Sequence, residues 1–163
     1  MQRFTGISAI FTNIAFSPDN NLLASGFGPL TVRLWQVSDG QAIHELEGAN
    51  ARVLAFSRNG EILAALGQGT NVDLWRVRDG ELLPPSLTGH THMVATLAIS
   101  MDSQTLVTAS PDIEVRRWQI SDHKRLYTLK EDGTNVLSVL LSGDGQTLMA
   151  VYRDGTVKVW QVP

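Results

Sequence analysis

The chain contains no cysteine. That excludes a disulfide framework and any thiolate metal site. It is compatible with a reducing compartment, and the cytoplasm is the expected location. No apolar run approaches the roughly 20 residues of a membrane-spanning helix, so a membrane is not an expected partner. The opening MQRFTGISAI lacks the basic region, long apolar core and small-residue cleavage site of a secretory signal. Charge of one sign is missing too. Thirteen Lys and Arg against 16 Asp and Glu leave a net charge of −3, with both signs mixed along the chain. Phosphate binding needs a basic stripe, so nucleic acid is not expected either. A 3.6-residue apolar period is absent, and Gly, Asp and Asn recur about every ten residues, which rules out helical repeats.

What is there is periodic. The tryptophans, Trp35, Trp75, Trp118 and Trp160, stand 40, 43 and 42 residues apart. Ser17, Ser57, Ser100 and Ser142 repeat the same spacings. Two landmarks in step define a repeated unit. The units run at about 7–48, 49–89, 90–131 and 132–163, within one expected domain over 1–163.

Inside each unit the order is constant. A short apolar run (NIAFS, VLAFS, TLAIS, SVLLS) meets a polar turn (PDNN, RNGE, MDSQ, GDGQ). A second apolar run follows (LLASG, ILAAL, TLVTAS, TLMAV), then a turn, then the Trp segment. A third turn, at Asp39-Gly40, Asp79-Gly80 or Asp122-His123, leads to a last run (AIHELEG, LLPPSLTG, RLYTLKE). Asp, Asn and Gly suit tight hairpins because they tolerate positive φ or bond their own backbone. Four short strands per unit are therefore predicted. The middle strands are apolar at consecutive positions, which predicts cover on both faces. Four antiparallel four-stranded sheets of this kind fit an all-β, β-propeller architecture.

The chain stops at VKVWQVP, so the fourth unit lacks its outer strand at the C-terminus. MQRFTG, residues 1–6, aligns with the tail of a fourth strand. It is the expected closing strand, pairing Arg3 to Thr5 with the segment around Trp160. Four units leave several assemblies open: a piece of a larger propeller, a small closed ring, half of an eight-bladed dimer, or an open arc.

The units resemble WD repeats, the propeller blades of the Gly-His to Trp-Asp type. LTGH…LAIS, LVTASPD and VRRW, within Leu87 to Trp118, carry the likeness most fully. The Asp that follows Trp in that family is replaced by Gln36, Arg76, Gln119 and Gln161. The Gly-His pair stands once, as Gly89-His90. Its counterparts are Gly6-Ile7, Asp132-Gly133 and a two-residue deletion at Gly48-Ala49. The resemblance implies a buried tetrad of His, Ser or Thr, Asp and Trp in each complete blade. By position, the third unit carries all four as His90, Thr108, Asp112 and Trp118. The first has Ser25 and Trp35, with Ile7 and Pro29 in the other places. The second has only Trp75, with Ala65 and Gly69. The fourth has Asp154 and Trp160, with Ala150.

Other chemistry is thin. His90 and His92 could chelate a metal from a strand, but no third ligand stands by them, and His90 has a place in the tetrad. SGDGQ and SPDNN lack the further carboxylates of a calcium loop. The G-x-G of LASGFG has no helix after it. His90, Thr108 and Asp112 are the types of a nucleophilic triad, but the resemblance buries them. Pro84-Pro85 suits an edge strand, since Pro cannot donate to a ladder.

No cofactor or metal is expected. The resemblance implies a protein or peptide partner at one rim of the blades, near Met93, Pro111, Asn135 and Arg153. The leading expectation is a non-enzymatic interaction scaffold. A regulatory or sensor segment of a larger signalling protein, and an enzyme with a rim active site, are the alternatives.

Overall fold

The structure, a computed structural model, describes residues 13–28, 30–130 and 135–162. The expected closing strand at 1–6 lies outside these residues, as do Ile7, Pro29 and the Asp132-Gly133 pair.

Every regular element among the described residues is a β-strand. The first repeat forms β1 (Ile14–Phe16), β2 (Leu22–Gly28), β3 (Thr31–Gln36) and β4 (Ala42–Glu47). The second forms β5 (Asn50–Phe56), β6 (Ile62–Leu66), β7 (Val72–Arg76) and β8 (Glu81–Leu87). The third forms β9 (Thr96–Ile99), β10 (Thr105–Ala109), β11 (Glu114–Gln119) and β12 (Arg125–Lys130). The fourth forms β13 (Val136–Leu141), β14 (Thr147–Tyr152) and β15 (Val157–Gln161). Each repeat is one sheet whose strands lie in chain order, with four, four, four and three strands. Pro84 and Pro85 lie in β8, at the edge of its sheet, joined by a cis peptide bond. The chain forms two compact units, one built on β1 to β8 and the other on β9 to β15.

Strand register explains the tryptophan spacing. Each Trp is the cross-strand partner of a leucine on the second strand: Leu23 with Trp35, Leu63 with Trp75, Leu106 with Trp118, Leu148 with Trp160. In the first unit, Ala24, Leu34 and Leu46 of one sheet pack with Leu63, Ala65 and Trp75 of the next. In the second unit, Val107 and Val115 pack with Leu148, Ala150 and Tyr152. A fully buried Leu contributes about 1.5–3 kcal/mol, so the sheets are held by these shared faces. β6 and β10 are buried along almost their whole length, as consecutive apolar residues require. The fourth sheet departs from the expectation of two covered faces. Met149 on β14 is 37% exposed and Val159 on β15 is 56% exposed. One face of that sheet packs on β9–β12, and the other is open.

The recurring serine has a job in every repeat. Its hydroxyl donates to the side chain two residues on: Ser17 to Asp19 (2.6 Å), Ser57 to Asn59 (2.7 Å), Ser100 to Asp102 (2.6 Å) and Ser142 to Asp144 (2.6 Å). The same hydroxyl accepts the backbone N–H of the first residue of the next strand, at 2.8–2.9 Å, from Leu22, Ile62, Thr105 and Thr147. Its carbonyl accepts the N–H three residues on, from Asn20, Gly60, Ser103 and Gly145, each at 2.9 Å. Those four residues all have positive φ, between 60° and 74°. Asn and Gly suit that conformation, and Ser103 holds it at a cost of about 1–2 kcal/mol. The hydrogen bonds also hold the Asp19, Asp102 and Asp144 carboxyls below their ordinary range, the serine donor contributing most.

Ser100 is 1% exposed, so its hydroxyl has no water to replace these partners. Ser100→Ala is expected to lower unfolding stability by about 1–3 kcal/mol, measured by urea denaturation at pH 7. A change within error would show that the clasp does not hold the turn.

Candidate functional site

Four side chains of the third repeat form a continuous chain of hydrogen bonds. β10 and β11 pair Leu106 with Trp118 and Thr108 with Arg116, which puts Thr108 and Trp118 on one face. Trp118 Nε1–H donates to Thr108 Oγ1 at 2.9 Å. Thr108 Oγ1 lies 2.8 Å from His90 Nε2, and His90 Nδ1 lies 2.8 Å from Asp112 Oδ2. A carboxylate only accepts, so Nδ1 carries the proton and Nε2 accepts from the threonine hydroxyl. Asp112 also accepts the N–H of Thr91 (2.9 Å) and of Glu114 (3.2 Å). His90 is 6% exposed and Thr108 is fully buried. Ser110 Oγ adds a second tie, donating to the carbonyls of His92 (2.9 Å) and Met93 (3.2 Å). The segment between β8 and β9 is thereby fastened to the β10–β11 turn.

Electrostatics follow from this geometry. Burial pushes the His90 imidazole below its ordinary value of 6.5, outweighing the upward pull of the Asp112 carboxylate. Burial alone would raise Asp112, but the donors at Thr91 and His90 outweigh it and hold the carboxyl below its ordinary range. The histidine is therefore neutral and the aspartate ionised at pH 7. Each of the four side chains is bonded to the next, which rigidifies the group.

The other repeats hold less. Trp35 Nε1–H donates to Ser25 Oγ at 2.8 Å, both side chains buried. Trp75 Nε1 is buried without an acceptor, since Ala65 stands where the hydroxyl would be. On the same face of β7, Asp73 Oδ1 is also buried without a donor. The carboxylate of Asp73 lies against Gly67, where a Cβ would come within 2.2 Å of Oδ2. Trp160 is half-buried, and Asp154 is exposed and accepts the N–H of Thr156 at 2.9 Å.

Met93, Pro111, Asn135 and Arg153 all lie in the second unit, at matching ends of its two sheets. Met93 is 43% exposed, just before β9, and Pro111 is half-buried in the β10–β11 turn. Asn135 and Arg153 are exposed, and the Arg153 N–H donates to the Asn135 carbonyl at 2.9 Å. A cavity of about 510 Å³ sits elsewhere, in the first unit, lined by Asn59, Glu61, Ile62, Arg76 and Arg78. It opens at the β5–β6 turn, the other end of the strands from the β6–β7 turn. Asp79 and Glu81 accept from Arg76 at 3.0 and 2.8 Å, which raises its pKa further, Asp79 contributing most. That guanidinium has no proton to exchange. Sequence reasoning used the four serines only as landmarks. Their hydrogen-bonding role was signalled by the Asp or Asn two residues on in every unit. It also passed over Asp73, whose only signal is an acidic residue two before a buried tryptophan.

The family model for the WD domain, G-beta repeat, matches residues 1–36, 83–119 and 123–161. The chain belongs to the WD40 repeat family. Residues 37–82, outside those matches, include β5 to β7, where Trp75 lacks an acceptor. The match over 83–119 contains His90, Thr108, Asp112 and Trp118 together. Similar curated proteins include the anaphase-promoting complex subunit cdh1 of Dictyostelium discoideum, 36% identical over 112 residues, which covers 66% of this chain and 15% of that protein. The small ribosomal subunit protein RACK1 of Drosophila melanogaster is 25% identical over 167 residues, 96% of this chain and 39% of that protein. The nuclear distribution protein nudF of Aspergillus niger is 28% identical over 160 residues, 93% of this chain and 35% of that protein. The chain thus spans 15–39% of the length of these relatives. In a solved structure, that of U3-55K, the fold recurs with a TM-score of 0.80 at 23% identity, covering 97% of this chain and 54% of that one.

Within this WD40 chain the two family aspartates differ in burial, and so in expected cost. The Asp112 side chain is 5% exposed and takes three donors, whereas Asp154 is exposed. Asp112→Ala should cost about 3 kcal/mol or more, since it strands His90 and two N–H groups. Asp154→Ala should stay within about 1 kcal/mol. Paired chemical denaturation curves test this, and equal shifts would sink the assignment.

A pH effect follows from the lowered pKa of His90. The unfolded chain takes up a proton near 6.5 and the folded chain only at lower pH. The stability of the neutral network is therefore complete above 6.5 and falls as pH drops from 6.5 towards the folded value. Melting temperature should fall across that window in the wild type, and less in His90→Gln. An unchanged pH slope in His90→Gln would rule the imidazole out as its source.

Proposed function

We propose that this chain is a non-enzymatic protein-interaction scaffold. The carrying observation is a rigidly mounted, exposed apolar residue at one end of the third sheet. Ser110 holds the carbonyls of His92 and Met93, and Asp112 holds His90 and Thr91, while the Met93 side chain is 43% exposed. Methionine is unbranched and polarizable, which suits an adaptable contact. Arg153 at the matching end of the next sheet adds a cation and Asn135 adds amide groups. A protein loop or peptide with one apolar anchor and a nearby acidic group fits this surface, with Pro111 as its rigid border. Support also comes from two relatives whose names make them parts of assemblies, an anaphase-promoting complex subunit and a small ribosomal subunit protein.

A non-enzymatic role is favoured by how the candidate reactive groups are placed. His90, Thr108 and Asp112 are buried and bonded to each other, and no reacting atom can reach them without breaking the network. The polar cavity at Arg76 is lined by ion-paired guanidinium groups. A net charge of −3 disfavours nucleic acid as the partner. A cytoplasmic setting accords with the lack of cysteine. A second reading, a regulatory segment acting within a larger signalling protein, is favoured by the relatives being several times longer than this chain.

The test is a peptide-display selection against the purified chain, followed by affinity measurement on variants. Met93→Glu and Arg153→Glu should each weaken the selected peptides tenfold or more. Glu81→Lys, in the other unit, should leave affinity unchanged. Selected peptides that bind Met93→Glu and Arg153→Glu as well as wild type would move the surface elsewhere.

A further inference from the structure

The turn between β10 and β11 holds one residue in a conformation that its own side chain opposes. Ile113 has a φ of 61°. That is the left-handed region, where a β-branched side chain crowds the backbone and glycine does not. The fourth repeat builds the same turn with the residue that suits it. Asp112-Ile113 precedes Trp118 at the same spacing as Asp154-Gly155 precedes Trp160. In both turns the aspartate Oδ1 accepts the N–H two residues on, from Glu114 at 3.2 Å and from Thr156 at 2.9 Å. Gly155 has a φ of 87°, and a Cβ placed on it would meet nothing within 4 Å. The backbone of this turn therefore asks for glycine, and the third repeat puts isoleucine there.

Strain of this kind persists only where something offsets it, and it gathers at binding sites. Burial is a weak offset here. Ile113 is 37% exposed and stands outside the apolar core that the third and fourth sheets share.

The surroundings show what the side chain can meet. The polar side chains of the β10–β11 turn are bonded inward. Ser110 Oγ donates to the carbonyls of His92 and Met93. Asp112 holds His90 and accepts the N–H groups of Thr91 and Glu114. Glu114 is paired with Arg116 and Lys130. The side chains left to face outward are Pro111 and Ile113, both apolar. The segment that Ser110 and Asp112 fasten to this turn carries a third, Met93. The matching turn of the fourth repeat differs, for Arg153, Asp154 and Thr156 are all exposed and polar.

Resting on the scaffold reading above, we infer that Ile113 is a binding residue: with Met93 it receives the apolar anchor of the peptide partner, and the acidic group of that peptide faces Arg153. The anchor is an aliphatic or aromatic side chain, because the side chains that receive it are apolar. The gain on binding offsets a backbone that the free protein holds under strain.

Three variants separate a binding role from a structural one, using the peptides selected on wild type. Glycine and asparagine tolerate the left-handed conformation but remove the apolar contact. Ile113→Gly and Ile113→Asn should melt at or above the wild-type temperature and bind the peptides about tenfold more weakly. Asparagine guards against a loss that comes only from a looser glycine turn. Ile113→Val should match wild type in both measurements. Lower melting temperatures in both Ile113→Gly and Ile113→Asn would show that the side chain serves the fold, and would overturn the inference. Unchanged affinity in those two variants, with Met93→Glu still weakening the peptides, would overturn it and leave the surface in place. Peptides indifferent to both Met93→Glu and Arg153→Glu would overturn the surface, and this contact with it.

Discussion

The structure depends on one constraint: a sheet whose middle strands are apolar on both faces cannot stand alone. β6 and β10 have almost no exposed surface, and inside each unit neighbouring sheets share an apolar core. The energy lies in shared faces rather than within a sheet. This explains why the tryptophan always faces a leucine across the strand pair. The pair makes a broad apolar surface that fits over the alanines and leucines of the preceding sheet. It also explains why the last sheet is anomalous. The pattern that demands a neighbour continues through Met149 and Val159, and the cover does not.

Two hydrogen-bonded devices are laid over that packing, and they differ in how far they have been kept. The serine clasp is present in all four repeats with nearly the same distances. It needs only a hydroxyl and an Asx residue two positions on, both inside one turn. The His90–Asp112 network draws on three separate segments, and it is complete in the third repeat alone. A local device survives substitution more easily than one assembled from distant parts. The result is uneven rigidity: the third repeat has a fastened loop at the Met93 end, and the second has a buried indole and a buried carboxylate with idle hydrogen-bonding atoms. A scaffold gains from this arrangement, since a fixed loop loses little entropy when it meets a partner.

Much of the fold was legible in the sequence because its signals are local. Turn residues at ten-residue spacing, apolar runs of strand length and two landmarks in register give the four sheets seen among the described residues, each with its strands in chain order. The membership of the WD40 family was carried by a few short strings, above all GH, ASPD and RRW in the third repeat. The site was less legible. Residue types name a candidate network, but whether a given tryptophan finds an acceptor turns on a single side chain, as Ser25 and Ala65 show. The cavity beside Arg76 had no sequence signal, because its walls come from a turn and a strand end that are distant in the chain.

The sequence by itself determined the repeat, the strand order and the hairpin chemistry, since each depends on residues within about ten positions of one another. Tertiary structure alone decided which apolar faces are covered. Val107 and Met149 occupy equivalent places on equivalent strands, and nothing in their own segments separates them. One is buried and the other is open because burial depends on what lies beside a sheet, and that is a property of packing.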